Sequence, residues 1–128
     1  KTALDEVFKQ ADFVSLHVPK LPETYHMIGA DQLRLLKDDT VFINTSRGSV
    51  LDHDALYQEA KSGRFQVQLD VTDPEPIPIG HPILNNENII ITPHIASASK
   101  ATFTAMGVAA ANNIIAALQN NTIPSPVN

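Results

Sequence analysis

Four side chains suited to chemistry stand at intervals along the 128 residues: Arg47, the carboxylates Asp70 and Glu75, and His94. A guanidinium grips a carboxylate through paired hydrogen bonds, an imidazolium gives a proton to a carbonyl oxygen, and a glutamate beside the ring holds it oriented. Together they suit reduction of a 2-keto acid. Each alone has a blander reading: Arg47 as a surface or capping arginine, Glu75 as a solvated loop carboxylate, His94 as a hydrogen-bonded core histidine. Position favours the chemical reading, because each follows a short apolar run that stops in polar residues.

Four such runs are present. Val41-Phe42-Ile43 stops in Asn44-Thr45-Ser46-Arg47-Gly48, Phe13 to Val18 is stopped by Pro19, Phe65 to Leu69 alternates with period two before Asp70, and Asn88 to Thr92 precedes Pro93-His94. Helical patterns separate them. Thr2 to Gln10 has Thr2 as an N-cap candidate, and Ala30 to Lys37 puts Leu33 and Leu36 on one face. Asp52 to Lys61 is capped by Asp52 and stopped by Gly63, with Ala55, Leu56 and Ala60 inward and Glu59 and Lys61 outward. Strand and helix in alternation imply parallel neighbours, so the carboxyl ends of the strands lie at one edge, where open α/β sheets collect their ligands.

The rest of the chain supports these units. Pro74 to Pro82 holds four prolines in nine residues and reads as a stiff extended loop. A helix from about Lys100 to Gln119 repeats Phe103, Met106, Ala110, Ile114 and Ala117 at helical spacing; it reads as heavily packed, with Ser97 as its N-cap and Asn120-Asn121 as its end. Thr122 to Asn128 is a tail without a core of its own.

Composition narrows the class. The length suits one compact unit, and no apolar run approaches the ~20 residues of a membrane span, so no membrane partner is expected. A net charge of −5 without a basic cluster argues against nucleic acid. The absence of cysteine excludes disulfides and thiolate chemistry and fits the cytoplasm. His17, His26, His53 and His81 lack metal-ligand spacing and read as structural. The opening Lys1-Thr2-Ala3-Leu4 has neither an initiator methionine nor a signal-peptide pattern and reads like the middle of a longer protein.

Five blocks in order carry a resemblance over nearly the whole chain: Asp12 to Pro19, Pro22-Glu23-Thr24, Phe42 to Gly48, Leu69-Asp70-Val71 with Pro74-Glu75-Pro76, and Thr92-Pro93-His94-Ile95. They resemble the NAD(P)-dependent D-isomer-specific 2-hydroxyacid dehydrogenases, and within them the glyoxylate/hydroxypyruvate reductase branch. The resemblance implies an α/β fold, the C-terminal half of a Rossmann-type parallel-sheet NAD(P)-binding domain over residues 1–99. A long crossover helix and tail over residues 100–128 would return toward a mostly absent substrate domain. It implies that Arg47 grips the substrate carboxylate, His94 is the proton donor and Glu75 its partner. NAD or NADP would be contacted by Asp70 at the nicotinamide carboxamide, by Thr45, Ser46 and Arg47 near the nicotinamide ribose, and by Val18, Pro19 and Thr24 on the adenosine side. The substrate would be glyoxylate or hydroxypyruvate, and the full-length protein a homodimer. A regulatory NAD(H)-binding member of the family, or a fragment inactive by itself, are the rival readings. The Phe65 to Leu69 strand is one residue shorter than the family pattern, which a bulge or an altered turn after Gly63 must absorb if Asp70 is to keep its place.

Overall fold

The computed structural model describes residues 1–126. Among these residues four α-helices and four strands follow in the order α1 (Leu4–Gln10), β1 (Phe13–Leu16), α2 (Ala30–Arg34), β2 (Val41–Asn44), α3 (His53–Ala60), β3 (Gln66–Leu69), β4 (Ile89–Ile91) and α4 (Lys100–Leu118). The strands form one all-parallel sheet in chain order β1-β2-β3-β4. Expected strands and helices are all present, with Ala30 to Lys37 shortened to the five residues of α2.

Burial follows the pleat. Val14, Leu16, Phe42, Val67, Leu69 and Ile89 point to one face, where Phe8 of α1, Leu33 of α2 and Leu56 of α3 close the core. Phe8 meets Phe42 with ring centroids 6.2 Å apart. The opposite face is open: Phe13 is 71% and Ile90 58% exposed. A parallel sheet is normally covered on both faces, and residues 1–94 supply one layer of helices over a sheet suited to two.

Local signals explain most boundaries. The Asp52 carboxylate accepts from the Ala55 N–H at 2.9 Å, as an N-cap should. Gly63 lies at φ +69, where a side chain is strained. Glu59 is half-buried rather than outward, because Arg34 reaches across from α2 to donate to it at 2.9 Å. Two expected caps move. α1 is preceded by Ala3 with no side-chain cap, since Thr2 lies one residue too early, and α4 is capped by Ser99 rather than Ser97, with the Ser99 hydroxyl accepting from the Thr102 N–H. The proline-rich loop is bent, not extended, with cis peptides before Pro74 and Pro76.

The expectation of one compact unit is corrected. The chain divides into a unit from Lys1 to His94 and a second from Ile95 onward that contains α4. The expectation of a heavily packed α4 is corrected too: none of its residues is buried, and Phe103, Ile114 and Leu118 are 61%, 61% and 78% exposed. Helical spacing of apolar residues marks a face that wants cover and says nothing of where the cover comes from. At 19 residues and a mean hydropathy of 1.4, α4 is also long and apolar enough to cross a membrane by length and composition, which the apolar-run reading overlooked. Asn120, at φ +55, ends the helix as expected. The tail is without helix or strand to Pro126, and its last two residues lie outside those described.

Candidate active site

The four strands stop level with one another. Leu16 pairs with Asn44, Asn44 with Leu69 and Leu69 with Ile91, so the residues after each strand emerge along one edge. Arg47, Asp70 and His94 are therefore placed at that edge by the register alone.

Arg47 sits on a turn that is fastened from below. Asn44 is fully buried; its side-chain oxygen accepts from the Ser46 N–H at 3.0 Å and the Ser46 hydroxyl at 2.8 Å, and its amide donates to the Arg47 carbonyl at 3.0 Å. The guanidinium is exposed and donates from Nη1 to the Ser46 carbonyl at 2.7 Å. Gly48 follows directly, and a Cβ there would lie 2.0 Å from the Thr72 carbonyl oxygen. Only glycine permits that approach, and it brings the Arg47 turn against the segment that follows Asp70.

Asp70 follows directly on β3. Register runs without a slip from Val41–Gln66 to Asn44–Leu69, and the Asp70 N–H donates to the Asn44 carbonyl at 2.9 Å. No bulge is present in β3, and just before it the Arg64 guanidinium donates to the Leu33 and Leu36 carbonyls. The Asp70 side chain is 5% exposed and accepts a hydrogen bond from the Thr92 hydroxyl.

His94 and Glu75 form a pair. Nδ1 of the imidazole lies 2.6 Å from Oε1 of Glu75, both side chains being about half exposed. A ring donating from Nδ1 to a carboxylate presents Nε2 as the nitrogen that exchanges a proton. The His94 backbone is at φ +54, a left-handed conformation that is uncommon outside glycine, and its N–H donates to the Thr92 carbonyl in a turn centred on Pro93. Thr72 steadies the other partner, its hydroxyl donating to the Pro74 carbonyl one residue before Glu75.

These groups line two cavities. One of about 530 Å³ is bounded by Asp70, Glu75, Ile77, Pro93 and His94, and one of about 590 Å³ by His17, Val18, Pro19, Lys20, Ser46 and Arg47. The structure thus brings Glu75, His94 and Asp70 together and places Arg47 at the same edge but on the second cavity. Thr45 is exposed at the end of β2 and lines neither. Thr24 lines neither as well; its hydroxyl ties the loop by donating to the Pro19 carbonyl at 2.7 Å and accepting from the Leu21 N–H. The lining suits a nicotinamide dinucleotide: a buried carboxylate for an amide, apolar walls for rings, and hydroxyl and cationic groups beside them.

Of the other histidines, His53 is buried, its Nδ1 donating to the Leu51 carbonyl at 3.1 Å and its Nε2 lacking a partner. Burial is the main cause that pushes its pKa down, with the nearby charges of His26 and His81 adding to it, opposed by the Leu51 carbonyl and Asp73. Among the described residues no group of three or more His, Asp or Glu is placed to hold a metal ion.

Sequence reasoning gave no role at this edge to Asn44, Gly48, Thr72 or Thr92. Asn44 had a signal: the pleat that buries Phe42 also buries position 44, and a buried amide needs partners. The contact of Gly48 with Thr72 had none, because it joins residues far apart in the chain.

An open parallel sheet with its polar groups gathered at the carboxyl edge defines a nucleotide-binding α/β unit of the dehydrogenase kind. The chain belongs to the D-isomer specific 2-hydroxyacid dehydrogenases, matching their NAD binding domain over residues 1–96. It is 46% identical over 126 residues to the glyoxylate reductase of Korarchaeum cryptofilum, covering 98% of this chain and 38% of that protein. To the human glyoxylate reductase/hydroxypyruvate reductase it is 41% identical over 121 residues, 94% of this chain and 37% of the relative. The crystal structure of the TT0316 protein from Thermus thermophilus superposes with a TM-score of 0.91 at 41% identity, over 99% of this chain and 41% of that one. A D-isomer specific 2-hydroxyacid dehydrogenase from Xanthobacter autotrophicus Py2, in complex with NADPH and MES, gives a TM-score of 0.83 at 29% identity over 98% of this chain and 51% of that one. The chain thus spans under two fifths of the length of these curated relatives.

Proposed function

We propose that the full-length protein is an NAD(P)-dependent oxidoreductase that transfers hydride between the cofactor and a small 2-keto or 2-hydroxy acid, with glyoxylate and hydroxypyruvate as substrates. The observation that carries this is the His94–Glu75 pair, 2.6 Å apart beside a cavity at the carboxyl edge of the sheet. The names of the two reductase relatives support the choice of substrate.

When bound, the nicotinamide supplies the hydride. Asp70 would hold its carboxamide end, with Thr45, Ser46 and Arg47 beside the adjacent ribose and Val18, Pro19 and Thr24 toward the adenosine end. His94, oriented by Glu75, gives its Nε2 proton to the substrate oxygen in reduction and takes it back in oxidation. The Arg47 guanidinium binds the substrate carboxylate and polarises the carbonyl, a positioning and electrostatic role. With its side chain exposed, Arg47 reaches the substrate from the neighbouring cavity.

Residues 1–99 serve this chemistry as part of the NAD(P)-binding domain, and from residue 100 the chain leads toward the substrate domain. We read α4 as a helix that leads to the substrate domain and not as a membrane span, since the TT0316 crystal structure superposes over 99% of this chain. In this reading the full-length protein is a homodimer, which sedimentation would test, and a cytoplasmic location accords with the absence of cysteine. The test of function is oxidation of NADH or NADPH by the full-length protein with glyoxylate or hydroxypyruvate. Turnover is expected; cofactor binding with no turnover would refute the enzymatic reading and favour a regulator.

A further inference from the structure

The geometry points to Asn44 as a positioning residue for Arg47: through its three side-chain hydrogen bonds it sets where the guanidinium stands, and so how well the protein holds a substrate carboxylate. This rests on the proposed role of Arg47. Asn44 is the last residue of β2 and is fully buried, although the three residues before it are apolar and the same position on β1 and β3 is Leu16 and Leu69. An amide at such a place is costly unless its groups are paired, and here they are. All its partners belong to one turn. The side-chain oxygen accepts from the backbone N–H and the hydroxyl of Ser46, and the side-chain amide donates to the backbone carbonyl of Arg47.

The consequence for Arg47 is direct. Its guanidinium folds back to donate to the Ser46 carbonyl at 2.7 Å, so both the peptide it hangs from and the carbonyl it rests on belong to the turn that Asn44 ties down. A leucine at position 44 would complete the apolar row across the sheet and release this turn. The amide therefore serves the turn more than the core.

The test uses the full-length protein and four forms: wild type, Asn44→Ala, Arg47→Ala and the double variant. Competitive inhibition of keto-acid reduction by oxalate, a two-carbon dicarboxylate, reads the carboxylate grip, and NAD(P)H binding reads the rest of the site. Asn44→Ala is expected to weaken oxalate binding about tenfold or more, and NAD(P)H binding by a smaller factor, because Ser46 and Arg47 of the same turn also stand beside the proposed ribose position. In the Arg47→Ala background the same substitution should cost nothing further, because residues that act through one another are not additive. Asn44→Asp guards against a folding failure. It keeps the acceptor for Ser46, and its ionised carboxylate sets a second acceptor against the Arg47 carbonyl, so the variant, once urea unfolding shows it folded, should lose most of the oxalate affinity.

Equal losses from Asn44→Ala in the presence and absence of the Arg47 side chain would overturn the proposal and leave Asn44 as a fold residue. So would unchanged oxalate affinity in a folded Asn44→Asp. If Arg47→Ala itself leaves oxalate affinity unchanged, the reading of Arg47 fails and the inference for Asn44 falls with it, whereas a loss in Arg47→Ala with none in the Asn44 variants refutes the inference alone.

Discussion

Gly48→Ala strikes the point where two arms of the site touch. An added Cβ would stand 2.0 Å from the Thr72 carbonyl oxygen and 2.1 Å from its carbon, and a real Cβ keeps at least about 3.0 Å, so one backbone must retreat by about 1 Å. Neither side yields easily. Gly48 is buried directly after Arg47, and Thr72 is buried two residues after Asp70 and three before Glu75. Overpacking of this kind costs about 1–3 kcal/mol, and displacement of reacting groups by about 1 Å costs on the order of 10²-fold in rate. Urea unfolding of full-length wild type and variant should show the loss of stability, and steady-state reduction of glyoxylate the loss of kcat/KM. A variant within about 0.5 kcal/mol of wild-type stability and with unchanged kcat/KM would refute the claim that this contact sets the geometry of the edge.

Other expectations concern the titrating groups. Glu75→Gln keeps the shape of the loop and removes the charge that holds His94, so kcat should fall by about 10²-fold or more, with NAD(P)H affinity unchanged when measured by fluorescence. His53 has its pKa lowered in the folded state from 6.5, mainly by burial, so the unfolded chain binds more protons below that value. Its contribution to stability is then fully present above about pH 6.5 and lost as pH falls through the lower folded pKa. Urea midpoints at pH 5 and pH 7.5 should converge in His53→Gln relative to wild type; equal pH slopes in the two proteins would refute this assignment.

Much of the fold was legible because local chemistry and tertiary structure agree. The apolar runs before Asn44, Asp70 and Pro93 became neighbouring parallel strands, and Asp52 and Gly63 bounded α3 by capping geometry that a few residues determine. The edge that carries Arg47, Asp70 and His94 followed from strand alternation. What lay beyond local reach was different in kind. The burial of α4 depends on surfaces that its own pattern does not reveal, and the caps of α1 and α4 shifted because alanine can precede a helix and two serines compete for one role. Arg47 lines one cavity and Glu75 and His94 another, a division that strand position alone does not determine.

The central claim is that His94, paired with Glu75, is the proton donor of a 2-keto acid reductase. Its most direct test is NAD(P)H oxidation with glyoxylate by the full-length protein and its His94→Ala variant, both confirmed folded and cofactor-binding. The account predicts turnover by the wild type and a loss of roughly 10²–10⁴-fold in kcat for the variant. Wild-type protein that turns over no 2-keto acid, or a His94→Ala variant as fast as wild type, would contradict it.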